Sequence, residues 1–137
     1  MTTGRPLRQV ESLMTSDPIT VLASASLREV ARLMAANRIH GLPVVDADGI
    51  ALGLIAQTDL VRMRATHELW ANRAGLSVAA LMTSPAICVA PDAGVAEAAM
   101  LMDGNRVHRL VVVDADGRPI GIVSASDLVD AIVSELA

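Results

Sequence analysis

The chain has 137 residues, 15 acidic and 11 basic side chains, a net charge of −4, and 53 % hydrophobic residues against 1 % aromatic, with no Phe, no Tyr and the single Trp70. This excludes the base-stacking platforms of single-strand and RNA binders and aromatic cages around a cation, and the acidic balance offers no footprint for nucleic acid. One cysteine, Cys88, forbids an internal disulfide and fits a reducing compartment, no apolar run approaches the ~18 residues of a membrane span, and Met1 to Gln9 lack a secretory core, so a soluble cytoplasmic protein without nucleic-acid or membrane partners is expected.

In chain order, a polar tail over 1–9 precedes a short alternating strand, Ile19-Thr20-Val21, after the turn-forming Ser-Asp-Pro. A helix follows, with Leu27, Val30, Ala31 and Met34 on one face and Ser26 and Glu29 at capping-box spacing. Strands at Leu42–Val45 and Leu52–Ala56 flank Asp46-Ala47-Asp48-Gly49, whose Asp-Gly pair suits a hairpin turn. A second helix starts near Thr58-Asp59. The helix formers of Arg62–Arg73, ending at Gly75, predict its extension, with Trp70 packed on the module.

From Leu81 the pattern returns. Leu13–Val61 aligns without gaps on Leu81–Val129 at an offset of 68, with about 25 identities over 49 positions. Ile87-Cys88-Val89, the stripe Val95, Ala98, Ala99, Met102, the strands Leu110–Val113 and Ile120–Ser124, and a helix from Ser126-Asp127 with Leu128, Val129, Ile132, Val133 and Leu136 as its apolar face repeat the unit. The chain divides into a tail (1–9), a repeat (10–65), a linker (66–77) and a second repeat (78–137). Each repeat reads β-α-β-β-α. One such unit has a small core and an open sheet edge, so an α/β (α+β) fold of two repeats docked about a pseudo-twofold axis is expected.

The opening Met14-Thr15-Ser16-Asp17-Pro18-Ile19-Thr20-Val21, the Leu42-Pro43-Val44-Val45-Asp46 stretch and Gly121-Ile122-Val123-Ser124-Ala125-Ser126-Asp127 resemble the cystathionine-β-synthase (CBS) domain. Two repeats together resemble a Bateman module that stands alone, from about Val10 to Val133. The stretch Val107-His108-Arg109 to Asp114 is similar to the γ subunit of AMP-activated protein kinase, where a His-Arg pair holds phosphate. The resemblance implies an adenine nucleotide in the cleft between repeats, with ribose hydroxyls on Asp127 or Asp59 and phosphate or ribose on Ser124, beside Ser126. It also implies that each pocket borrows the opening strand of the other repeat. Thr15, Ile19, Thr20, Ile39 and His40 then complete the Asp127 pocket with His108, Arg109 and Ile122. Thr83, Ile87, Cys88, Val107 and His108 complete the Asp59 pocket beside Thr58. The first repeat departs from the pattern with Ala56 for the hydroxyl and Gly41 for the arginine.

The chemistry of the residues points the same way. A carboxylate accepts ribose hydroxyl protons, Arg109 offers a charge-assisted fork to phosphate, hydroxyls at a helix N-terminus favour an anion, and Ile19, Ile39 and Ile122 can sandwich a purine. Unequal sites are expected, the Asp127 site being the tighter. Simpler readings stand beside these. Helix capping accounts for Asp59 and Asp127 without a ligand, Arg109 can pair with Asp114 or Asp116, and His40 and His108 can serve the fold. Cys88, Met34 and Met102 read as core, and Arg28 with Arg32 as a solvated face.

There is no nucleophile elbow, Gly-rich phosphate loop or Cys-His metal set. The expected function is therefore a non-catalytic regulatory module that senses AMP, ADP or ATP, needs no cofactor or metal, forms a homodimer through its remaining apolar helix faces, and acts on a protein target. A ligand-free interaction module is the rival reading. A metal or redox sensor using His40, His108 and Cys88 is a second.

Overall fold

The computed structural model describes residues 8–137, so all but the end of the tail expected over 1–9 lies outside the described residues. The first repeat runs α1 (Val10–Leu13), β1 (Thr15–Ser16), β2 (Val21–Leu22), α2 (Leu27–Asn37), β3 (Gly41–Val45), β4 (Ala51–Ala56) and α3 (Gln57–Ala65). A connection of α4 (His67–Ala71) and a 3-10 turn (Arg73–Gly75) leads to α5 (Val78–Leu81), β5 (Cys88–Val89), α6 (Val95–Asn105), β6 (Arg109–Val113), β7 (Pro119–Ser124) and α7 (Ala125–Glu135). The predicted β-α-β-β-α order is present in both repeats. It is preceded by a short helix in each, which single turns of four residues do not announce by periodicity. The opening strand, expected over 19–21, pairs only at Val21 and Leu22, starting two residues later and ending one later, and a separate strand at Thr15–Ser16 precedes it.

Local chemistry sets these elements. Ser26 Oγ accepts from the Glu29 amide at 3.1 Å and starts α2, which buries Leu27, Val30 and Met34; α6 buries Val95, Ala98 and Met102 in the same way, from an N-cap glycine. Both hairpins turn on a glycine at positive φ, Gly49 at 84° and Gly117 at 86°, a conformation that costs glycine little. The Asp46 carboxylate accepts from the Asp48 and Ile50 amides at 2.8 and 3.0 Å, and Asp114 does the same for Asp116 and Arg118 at 2.9 and 3.0 Å. Asp114 thus serves its own turn, and Asp116 pairs with Arg118 at 3.3 Å.

The connection differs from its prediction. α3 stops at Thr66, which is extended at φ −97° and ψ 112°, and α4 is a separate short helix. Trp70 packs against the first repeat's core as expected, its ring flanked by the Arg64 and Arg73 guanidiniums at 4.5 and 4.2 Å. α7 also differs: Leu128 and Ala131 are buried, while Val129, Val133 and Leu136 are 54, 63 and 81 % exposed. Its apolar residues form two faces, of which the repeat's own core uses one.

The two sheets carry the orders β1-β7-β6-β5 and β2-β3-β4. β5 is parallel to β6 and β2 to β3, the other pairings antiparallel. The leading segments cross over. β1, from the first repeat, pairs with β7 of the second through Thr15 opposite Ile122, and Thr83 bridges Leu54 at the equivalent edge of the other sheet. Val10 is fully buried in the second repeat's core, and Val78 and Leu81 lie in the first repeat's core. Each buried aliphatic side chain of this size contributes about 1.5–3 kcal/mol, so neither repeat completes its core alone. The close approach needs glycine: a Cβ on Gly53 would lie 2.5 Å from the Thr83 carbonyl oxygen, and one on Gly121 would run into the Met14 side chain.

Candidate functional site

Two clefts open between the repeats, and the crossover builds both. The first, of about 380 Å³, takes Thr15, Ile19, Ile39 and His40 from the first repeat. It takes Arg109, Ile122, Ser124, Ser126 and Asp127 from the second. These are sequence-predicted residues. Thr20 and His108, also expected here, do not line it: Thr20 is exposed outside it and His108 lines the other cleft. Pro18, Arg38 and Gly41 line it in addition.

The polar end of this cleft is ordered by a cap. Asp127 Oδ2 accepts from the Ser124 amide at 2.7 Å and Ser124 Oγ accepts from the Asp127 amide at 3.2 Å, a reciprocal box at the start of α7. The capping reading of Asp127 is therefore correct as far as it goes. Asp127 lines the cleft, and among the described residues no hydrogen bond or ion pair engages its Oδ1, which keeps its lone pairs to offer. Ser126 Oγ lies 2.9 Å from Ser124 Oγ and adds a second hydroxyl. Strand register puts Arg109 directly opposite Ser124, so cation and hydroxyl share one rim. Ile19, Ile39 and Ile122 are all partly buried and form the apolar walls.

The second cleft is smaller, about 200 Å³, and is lined by Thr58, Asp59, Thr83, Ile87 and Val107 of the predicted set, together with His108. Cys88 does not line it. Its Sγ sits 3.7 Å from the Ala86 carbonyl oxygen, and burial raises the thiol's pKa, which keeps it protonated and unreactive. Asp59, 5 % exposed, is already engaged: its Oδ2 accepts from the Ala56 amide at 2.8 Å and its Oδ1 binds Arg62 at 3.0 Å. Position 130 holds Asp where Arg62 would recur, so Asp127 lacks this partner. The expectation that the second cleft is short of arginine is corrected: Arg62, Arg106 and Arg109 all line it. Drug-sized ligands occupy pockets of roughly 300–1,000 Å³, which the first cleft meets and the second does not.

Sequence reasoning missed Arg38 and Arg106. Both end a helix in the left-handed conformation, at φ 53° and 55°, where a Cβ is unfavourable and glycine is the common occupant. The signal was present in the recurring Asn-Arg at 37–38 and 105–106, immediately after the apolar stripe. An arginine held at a glycine-type position lines each cleft. Arg38→Gly is expected to stabilise the fold by about 0.5 kcal/mol, the αL strain relieved less the added chain entropy, while weakening any phosphate-bearing ligand. Thermal melts and calorimetric titration on one preparation measure both signs.

His40 and His108 also serve the backbone: their carbonyls accept from the Gln57 and Ala125 amides, at 2.9 and 2.8 Å, fixing the starts of α3 and α7. Among the described residues no three His, Cys, Asp or Glu side chains gather as metal ligands, and no helix is long and apolar enough to cross a membrane.

Comparison with known proteins matches the CBS domain family model to residues 10–65 and 78–134. An uncharacterised protein of Methanocaldococcus jannaschii is 32 % identical, over 85 % of this chain and 86 % of that protein. The inosine-5'-monophosphate dehydrogenase of Mycobacterium tuberculosis is 34 % identical over 90 % of this chain, which spans only 22 % of that enzyme's length. Among solved structures, the CBS domain pair of protein MJ0100, in complex with 5'-methylthioadenosine and S-adenosyl-L-methionine, superposes with a TM-score of 0.82 at 25 % identity, over 95 % of this chain and 99 % of that one. CBSX2 of Arabidopsis thaliana, in complex with AMP, gives 0.76 at 27 % identity, over 94 % and 98 %.

Proposed function

The chain belongs to the CBS domain family as a pair of repeats, and from that premise we propose that it is a non-catalytic regulatory module that senses an adenine nucleotide in the Asp127 cleft. The observation that carries the reading is the convergence, from both repeats, of a carboxylate with one oxygen left unengaged among the described residues, two hydroxyls, Arg109 with Arg38, and three isoleucine walls in one cavity. Ribose hydroxyls donate to Asp127, phosphate takes the arginine forks and the hydroxyl pair, and the purine lies between Ile19, Ile39 and Ile122. MJ0100 and CBSX2 carry adenosine-based ligands, which supports the same chemical class here. The Asp59 cleft is read as the weaker site. Its carboxylate is held by Arg62, its volume is smaller and Ala56 replaces the hydroxyl.

Because each cleft is walled by both repeats, a ligand there favours one inter-repeat arrangement over others, by no more than its differential affinity for them. Val61 on α3 and its counterpart Val129 on α7 are 67 and 54 % exposed. In this reading a second copy covers those helix faces and passes the change on to a protein target in the cytoplasm. Val129→Glu with Val61→Glu is expected to leave a monomer by light scattering.

A thermal-shift screen with AMP, ADP, ATP, S-adenosylmethionine and NAD tests the proposal. A ligand at a hundredfold over its Kd adds about 2.7 kcal/mol of stability. A shift from at least one adenine nucleotide is expected, and no shift from any compound leaves the ligand-free interaction reading in its place.

A further inference from the structure

Gly41 and Arg109 are equivalent positions in the two repeats, each the first residue of its strand, paired with Ala56 and Ser124 respectively. Strict internal symmetry would place two arginines there, one per cleft. Only one is present, and its stem crosses the axis: a Cβ on Gly41 would lie 3.4 Å from Arg109 Cδ. The space that glycine leaves is the space the arginine uses. As a result Arg109 lines both clefts, whereas Arg38 lines only the Asp127 cleft and Arg106 only the Asp59 cleft of the two. The Asp127 cleft has Arg38 of its own, the Asp59 cleft has Arg106 and an Arg62 already paired with Asp59, and the two share Arg109.

We propose that Arg109 is a phosphate donor shared between the two clefts, so that a phosphate-bearing ligand in one disfavours a phosphate-bearing ligand in the other. This rests on the nucleotide reading above. Each edge of a guanidinium is a planar fork that pairs with one anion, and in this proposal the single stem of Arg109 turns its fork toward one cleft or the other. When Arg109 turns to a phosphate in the Asp127 cleft, a ligand entering the Asp59 cleft meets Arg106 without it. The antagonism is reciprocal, because coupling between binding sites acts equally in both directions. It is also selective for phosphate: a nucleoside, which asks nothing of Arg109, fills the clefts independently. The chain would then answer a phosphorylated ligand over a wider concentration range than one site allows.

Each cleft carries its own reporter, His40 in the Asp127 cleft and His108 in the Asp59 cleft, so their imidazole NMR signals follow the two occupancies separately. Titrating the full chain with AMP, the His108 midpoint is expected to fall about tenfold in Asp127→Ala relative to the wild type, within the usual range of coupling between sites. With adenosine the two midpoints should coincide, and adding Arg109→Ala should make them coincide for AMP as well. Asp127→Asn replaces Asp127→Ala if the latter does not fold. An AMP midpoint at His108 that ignores the state of the Asp127 cleft overturns the shared-donor proposal and leaves nucleotide binding intact. If neither histidine responds to AMP or adenosine, the nucleotide reading itself fails.

Discussion

Asp127→Ala is expected to weaken AMP binding by about a hundredfold while costing the fold about 1 kcal/mol. Hydrogen bonds to an ionised group contribute roughly 1.5–3 kcal/mol each. A carboxylate that accepts two ribose hydroxyls therefore accounts for at least about 3 kcal/mol, and each 1.4 kcal/mol is about tenfold in affinity. The stability cost comes from the cap, since Asp127 Oδ2 holds the Ser124 amide at 2.7 Å and loss of a capping side chain costs about 1 kcal/mol. The two roles separate in Asp127→Asn. The amide oxygen can still accept from Ser124, so the melting temperature stays near that of the wild type, while the uncharged group loses most of the affinity. Ser124→Ala removes the other half of the cap and a hydroxyl that lines the cleft, so it should lower melting temperature and affinity together. Calorimetric titration beside thermal melts reads both quantities. Wild-type affinity in Asp127→Asn would return Asp127 to a purely structural role.

Gly53→Ala is expected to be among the most destabilising single-methyl changes in the chain, by about 2–3 kcal/mol, in the upper range for overpacking a close contact. The added Cβ would stand 2.5 Å from the Thr83 carbonyl oxygen and 2.9 Å from Met82 Sδ. A methionine can rotate away, but the carbonyl cannot, because it accepts from the Leu54 amide at 3.0 Å and is part of the bridge between repeats. At roughly 2–4 °C per kcal/mol for a chain of this size, the melting temperature should drop by about 5–10 °C. The equivalent Gly121→Ala meets a mobile side chain, Met14, along with the Thr15 carbonyl oxygen at 3.1 Å, and should cost less. Equal melting temperatures for Gly53→Ala and the wild type would show that the crossover does not depend on that close approach.

Much of this was legible in the sequence because the chain is written twice. The offset of 68 turns weak local signals into paired ones, so two short β segments, an apolar stripe and an Asp-Gly turn gain weight by recurring. The cleft residues followed from the family resemblance together with the chemistry of Asp127, Arg109 and Ser124. What stayed hidden was the part set by tertiary partners. α1 and α5 are single turns whose buried residues, Val10 and Val78, find their cores in the opposite repeat, and no local periodicity reports that. Thr66 sits among helix formers, yet the chain breaks there so that α4 can fold back and bring Trp70 onto the first repeat's core. The Asp59–Arg62 pair was readable as an i, i+3 spacing, and its loss at Asp130 is what leaves Asp127 open. Arg38 and Arg106 carried a signal in their recurrence, but their left-handed backbone is visible only in three dimensions. The departures at Gly41 and Ala56 looked like two separate defects in the first repeat. In the structure they are cross-strand partners at one point, the point over which Arg109 passes.

The most direct test of the central claim is a crystal structure of the full chain grown with saturating AMP. The ribose hydroxyls should lie on the Asp127 carboxylate, the phosphate on Arg109 and Arg38 beside Ser124 and Ser126, and the purine between Ile19, Ile39 and Ile122. AMP bound elsewhere on the surface with the Asp127 cleft empty, or absent altogether at that concentration, would contradict it.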